Sequence, residues 1–266
     1  MKCRNCGHEN EGGKFCEKCG TKLEDARSEV AAASATQQEP VKNQPSQYIE
    51  STKKISKMYF SYFLDVLKHP YANSQSVNKE YMVNGIITII LFSLFIPLMT
   101  YFGLKGLMSN FNEFGSDLFG VGMDMAPPFT AVVVKPFFAY LIFIALVITF
   151  TFAAVRFGRV NVGYTDVVAR FGSFLIPFVL LLAIGLIFSI LKVKFFLFFL
   201  SLGFMGAIFI IPPLVIASYK RNSKSGMDVI YGSLLTYLLT IISIFIMADM
   251  LMEALKSAMQ DLFGMF

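Results

Sequence analysis

Over most of this chain apolar positions do not alternate with polar ones; they run together. Five stretches, 82–104, 136–155, 171–191, 195–218 and 229–248, contain no Asp, Glu, Lys, Arg or His. Each is close to the ~20 residues a helix needs to cross ~30 Å of hydrocarbon. In lipid a backbone must satisfy its own polar groups, so such runs predict spanning helices. The expected fold class is an all-α polytopic membrane protein with five transmembrane helices, 81–248 being the membrane domain.

Ahead of the first run the pattern acquires a helical period. Ile55, Met58, Tyr59, Tyr62, Phe63, Val66 and Leu67 share one helix face, with Lys53, Lys54, Lys57 and Lys68 outside it. Residues 51–80 are therefore expected to form a basic amphipathic helix, stopped after His69 by Pro70. Such a helix lies in the headgroup plane of anionic lipid; alternatively, the same face packs on the ends of the spans. Leu104, Leu107, Met108, Phe111, Phe114 and Leu118 predict a short helix after the first span. Leu251, Leu255, Met259, Leu262, Phe263 and Phe266 predict an amphipathic tail over 249–266. Pro97, Pro177 and Pro212-Pro213 predict kinks, and the pairs Gly185/Ser189 and Gly203/Ala207 permit close helix contact.

The first twenty residues are different again. Cys3-Arg-Asn-Cys6-Gly7 is echoed by Cys16-Glu-Lys-Cys19-Gly20, with nine residues between the pairs. Two CxxCG knuckles supply four thiolates, a closed tetrahedral set for one structural Zn²⁺ with no open position for catalysis. Cys3, Cys6, Cys16 and Cys19 are thus the expected metal ligands of a zinc ribbon over 1–21. A pair of disulfides is the competing assignment, and it needs an oxidising compartment. With so little core, the head would draw most of its folding energy from the metal. Met1 to Gly20 has no apolar core, so no removable signal peptide is expected. Glu9, Glu11 and Glu17 interleave with the head's basic residues and Phe15 is its one aromatic, so a protein is a better expected partner than nucleic acid. Residues 22–50, rich in Ala, Ser, Gln, Glu and Pro, are expected to be a disordered linker.

Composition agrees with a membrane domain: 55% of residues are hydrophobic, only 15% are charged, and Trp is absent. Charge distribution is more telling than the net +5. Arg156, Arg159 and Arg170, then Lys220, Arg221 and Lys224, fall between spans on one side, as do the lysines before Glu80. The other side carries Lys105 and Lys135 with Glu113, Asp117 and Asp124, and a tight turn holding Lys192 and Lys194. The positive-inside rule then puts the N-terminus in the cytosol and the C-terminus outside the cell membrane. A reducing cytosol suits zinc-binding thiolates.

No HExxH, GxSxG or P-loop pattern occurs, and the runs lack the ionisable groups that coupled transport requires. A non-enzymatic protein is expected. The stretch Gly158-Arg-Val-Asn-Val-Gly163-Tyr164, followed by Phe171-Gly172-Ser173-Phe174-Leu175-Ile176-Pro177, is similar to a Gly-rich loop and "YSxxP"-like start of the third span in bacterial members of the Yip family, with Phe171-Gly172 where Tyr is common. The resemblance implies a five-span fold with a cytosolic N-terminus. The functional expectation is an adaptor or sensor in membrane or envelope homeostasis, its zinc ribbon docking a cytosolic protein. The alternative is a channel or a lipid or small-solute permease with a regulatory zinc head.

Overall fold

The computed structural model describes residues 8–9, 44–119, 127–221 and 225–263. The chain divides into two units, Met1–Thr52 and Lys53–Phe266, and the second contains the apolar runs. Helix α1 (Gln44–Lys68) begins within the stretch expected to be linker. It stops where Pro70 drives the preceding residue out of the helical region, His69 having φ −140° and ψ 70°. Pro70, with no N–H to satisfy, then opens α2 (Pro70–Ser76). A 3₁₀ turn at Lys79–Tyr81, capped by the Asn78 side chain accepting from Glu80 N, leads into α3 (Met82–Phe119).

A π-helical turn, Thr130–Val134, precedes α4 (Lys135–Phe157), and α5 (Tyr164–Ile190), α6 (Phe196–Phe209), α7 (Ile211–Lys220) and α8 (Val229–Phe263) follow. Five segments are long and apolar enough to cross a membrane: Lys79–Met108, Thr130–Phe157, Tyr164–Ile190, Phe196–Lys220 and Val229–Ala248. They match the five expected runs, with instructive differences at their ends. Beyond Leu104 there is no separate helix, because α3 continues unbroken to Phe119. The tail likewise begins as a continuation of α8, which ends at Phe263. The third span starts at Tyr164 instead of residue 171, so Asp166 and Arg170 belong to helix and not to a loop. The fourth is two helices, broken at Ile210 ahead of Pro212-Pro213.

Helix α5 is the centre of the bundle, packing most extensively on α3 and next on α6. Phe171, Leu175, Val179 and Leu182 of α5 meet Phe92, Ile96 and Met99 of α3 and Ile144 and Val147 of α4 in one core. The α3–α5 crossing depends on absent side chains: a Cβ on Gly172 would stand 2.4 Å from the Gly85 Cα. The two expected small-residue pairs also lie at contacts. Ser189 Oγ donates to the Met99 carbonyl at 2.7 Å, and a Cβ on Gly203 would meet Leu182 at 2.7 Å. Helix α8 lies against α4 and α7 and buries a row of hydroxyls, Ser233, Thr236, Thr240 and Ser243. Ser233, Thr236 and Ser243 return their protons to the carbonyl four residues back, whereas the buried Thr240 hydroxyl has no hydrogen-bond partner. Its opposite face, with Leu234, Leu238 and Phe245, is exposed and apolar.

Candidate functional site

Antiparallel spans gather the starts of α3, α5 and α8 and the ends of α4 and α7 at one end of the bundle. There α1 and α2 form a strap, and the groups fixing it are the most concentrated polar constellation among the described residues. Arg170 is its hub. Its Nε and Nη2 both donate to the Val77 carbonyl, at 3.3 and 3.1 Å, and Nη1 donates to Ser218 Oγ at 3.1 Å. The guanidinium carbon lies 3.7 Å from the centre of the Tyr219 ring. A planar fork that donates in two directions while stacking on a ring is what Arg provides and Lys does not.

Asp166 works beside it. One carboxylate oxygen accepts from Gly163 N at 3.2 Å and so starts α5; the other accepts from Lys79 N at 2.9 Å and so holds the strap's last turn. Ser74 and Ser173 share a buried hydrogen bond of 2.8 Å, Tyr59 and Thr88 share one of 3.0 Å, and Arg221 reaches Gln75 Oε1 at 3.2 Å. Within the strap, the Asn73 side chain donates to the Asp65 carbonyl, joining α2 to α1. Tyr62 stacks on Tyr81. Its hydroxyl comes near Ser173 without forming a hydrogen bond, and burial pushes its pKa up to about 12. Burial raises Tyr59 as well, so both phenols stay neutral at physiological pH.

The periodic face of α1 is turned towards the bundle at Tyr59, Tyr62, Phe63 and Val66, Val66 being 1% exposed. Met58, Phe60 and Leu64 are apolar side chains that α1 leaves exposed. Helix packing on the span ends, the second of the two placements the periodicity allowed, therefore accounts for most of that face. Two adjoining loops are also tied together. Lys220, 9% exposed, donates to the carbonyls of Ser225 and Met227, and Met227 N donates to Phe157 O at 3.1 Å. Gly226, at φ +77°, lies so close to Gly158 that a Cβ would stand 2.6 Å from its carbonyl carbon.

Cys3, Cys6, Cys16 and Cys19 lie outside the described residues. Of the head, His8 and Glu9 are described, and both are exposed. Among the described residues no group of three His, Cys, Asp or Glu side chains is arranged to hold a metal ion. The stretch Phe171 to Pro177 that suggested a span start is interior to α5, the start itself lying at Tyr164. Sequence reasoning missed Arg170 as a hub because it stands one residue before the uncharged run and was counted as a loop charge.

Residues 50–257 match the family described as "Domain of unknown function (DUF6574)". The chain belongs to the DUF6574 family. It is also 33% identical over 239 residues to a Bacillus subtilis (strain 168) protein called "Uncharacterized protein YvbI", the alignment covering 90% of each chain. No solved structure matches. The DUF6574 segment takes in the strap from within α1 together with all five apolar helices, and Arg170, Asp166 and their partners lie inside it.

Proposed function

We propose that this DUF6574 protein is a non-enzymatic, multi-pass protein of the cell membrane that serves as an adaptor or sensor in membrane or envelope homeostasis. A zinc ribbon on Cys3, Cys6, Cys16 and Cys19 docks a cytosolic protein, and the five-helix domain anchors it. Bound Zn²⁺ supplies the folding energy of the head and no reaction chemistry. The observation that carries this reading is the clamped strap. Helices α1 and α2, which join the linker to the first span, are fixed to the bundle through Arg170, Asp166, Ser173 and Thr88, which gives a head that recruits a partner a firm point of anchorage beyond its linker. A simple tether would need no such clamp.

Orientation follows from charge. Arg156, Arg159, Arg170, Lys220 and Arg221 share the strap's end of the bundle with Lys57, Lys68 and Lys79, which supports a cytosolic N-terminus and an external C-terminus. The Yip-like element of the reading rests on the Gly158–Gly163 loop and the five-span layout. The test is in-cell crosslinking and pull-down of the intact chain beside its Cys3→Ser/Cys6→Ser variant, with zinc measured on both. About one zinc per chain should be lost, partners should drop out, and membrane insertion should be unchanged. An unaltered partner set, or failed insertion, would reject the modular adaptor.

A further inference from the structure

Helix α1 carries a second stripe beside the face that packs on the bundle. Lys57, Phe60, Leu64 and Lys68 follow one another at spacings of three, four and four, which sets them along one line of the helix. With 3.6 residues per turn, Leu64 stands about 160° around the axis from the buried Val66. All four side chains are exposed, Phe60 by 61% and Leu64 by 43%. The stripe is apolar in the middle and cationic at both ends. Asp65 lies off it and pairs with Lys68 at 3.3 Å, which leaves Lys57 as its stronger cation.

The contacts that hold the strap also fix its level. Tyr59 is bonded to Thr88, in the second turn of the uncharged run that opens at Met82. Ser74 meets Ser173, and the Tyr71 ring packs on Phe174, at the start of the run that opens at Phe171. The strap is therefore seated where the charged ends of α3 and α5 give way to apolar helix. Over those same turns α3 leaves Val83, Ile86 and Ile90 exposed, so the strap does not wrap the first span and acyl chains reach its level.

We propose that the stripe of Lys57, Phe60, Leu64 and Lys68 is a docking surface for an anionic lipid headgroup layer. Phe60 and Leu64 enter the top of the acyl chains. The lysine stems lie along that apolar middle, and their ammonium groups rise to the lipid phosphates. Charge selects anionic over zwitterionic lipid, and Lys53 and Lys54 add to the positive charge of the same helix. The strap is then held from two sides, by the bundle through its periodic face and by the bilayer through this one. The surface is independent of whether the head recruits a partner.

The chain has no Trp, so Phe60→Trp places a sole indole reporter on the stripe. The test is fluorescence of this full-length variant in proteoliposomes, with brominated lipids as quenchers from the bilayer and acrylamide as quencher from water. Trp emission should be quenched by brominated lipid and shielded from acrylamide, as for Leu238→Trp on the exposed face of α8. Asp65→Trp, off the stripe, should respond to acrylamide instead. At equal mole fraction, brominated phosphatidylglycerol should quench the Phe60→Trp reporter more than brominated phosphatidylcholine. Adding Lys57→Gln should lower that preference about fivefold, the worth of one lysine at an anionic surface. Lys135→Gln, at the far end of the bundle, should leave it unchanged. If Phe60→Trp does not fold, Leu64→Trp carries the same test. Quenching by acrylamide alone would put the stripe in water, and protection from both quenchers would put a protein surface over it. Either result, or a lipid preference that Lys57→Gln leaves intact or that Lys135→Gln lowers equally, would overturn the proposal.

Discussion

The break in the fourth span exposes a backbone group that one side chain repairs. In an unbroken helix the N–H of residue 213 would serve the carbonyl of Phe209, but residue 213 is Pro. That carbonyl lies within an apolar segment, where water is not at hand. Tyr237 of α8 donates its hydroxyl to this oxygen, and its ring packs on Phe209 with centroids 5.6 Å apart. Tyr237→Phe keeps the ring and removes only the donor. Hydrogen bonds between membrane helices average ~0.6 and reach ~1.7 kcal/mol, while an orphaned buried carbonyl costs ~1–3 kcal/mol. A loss of about 1–2 kcal/mol is expected. Pro213→Ala returns an N–H to Phe209 from within its own chain, so in that background Tyr237→Phe should cost a small fraction of this. Equilibrium unfolding of the four proteins of the cycle in mixed micelles measures the coupling directly. If Tyr237→Phe costs the same in both backgrounds, or costs nothing in the wild-type chain, the repair of Phe209 is not what Tyr237 does.

Removing the hub should loosen the strap before it loosens the bundle. Arg170→Ala deletes charge-assisted bonds to Val77 and Ser218, worth about 1.5–3 kcal/mol, and amide exchange should accelerate over 70–81 while the centre of α5 stays protected. Uniform acceleration throughout would show Arg170 to be a general stabiliser. At the α3–α5 crossing, Gly172→Ala puts a methyl 2.4 Å from the Gly85 Cα and should destabilise by about 1–3 kcal/mol. The comparison is Gly232→Ala, whose added methyl meets its nearest neighbour at an ordinary 3.5 Å and should be close to neutral. Equal Tm losses for the two would contradict the steric account.

What could be read in the sequence was what depends on composition and length. Five runs without charge correspond to five membrane-length apolar segments, because a span is set by the thickness of hydrocarbon and needs no knowledge of neighbours. Helix ends were read less well. Asp166 and Arg170 made 164–170 look like loop, whereas Asp166 is the residue that starts α5 and Arg170 is held by groups 93 and 48 residues away. Those partners, a backbone carbonyl and a serine, carry no signature in a linear pattern. The breaking prolines were visible, but the tyrosine that makes the break tolerable was not, because Tyr237 pairs with Phe209 across 28 residues.

Charge was the cue that gained most from structure. In sequence, Lys192 and Lys194 count against the orientation that every other cluster of basic residues supports, and an orientation rule can only treat them as exceptions. In space the basic residues divide by task. Those at the strap's end include Arg170, Arg221 and Lys220, all hydrogen-bonded into the fold, so part of the positive bias there is structural material and not merely a topological signal. The pair at the far end lines a groove with apolar walls. Lys192 takes the left-handed position after α5 and lays its stem along α3 beside Gly106, so its presence at this end has a packing cause that the positive-inside rule does not count.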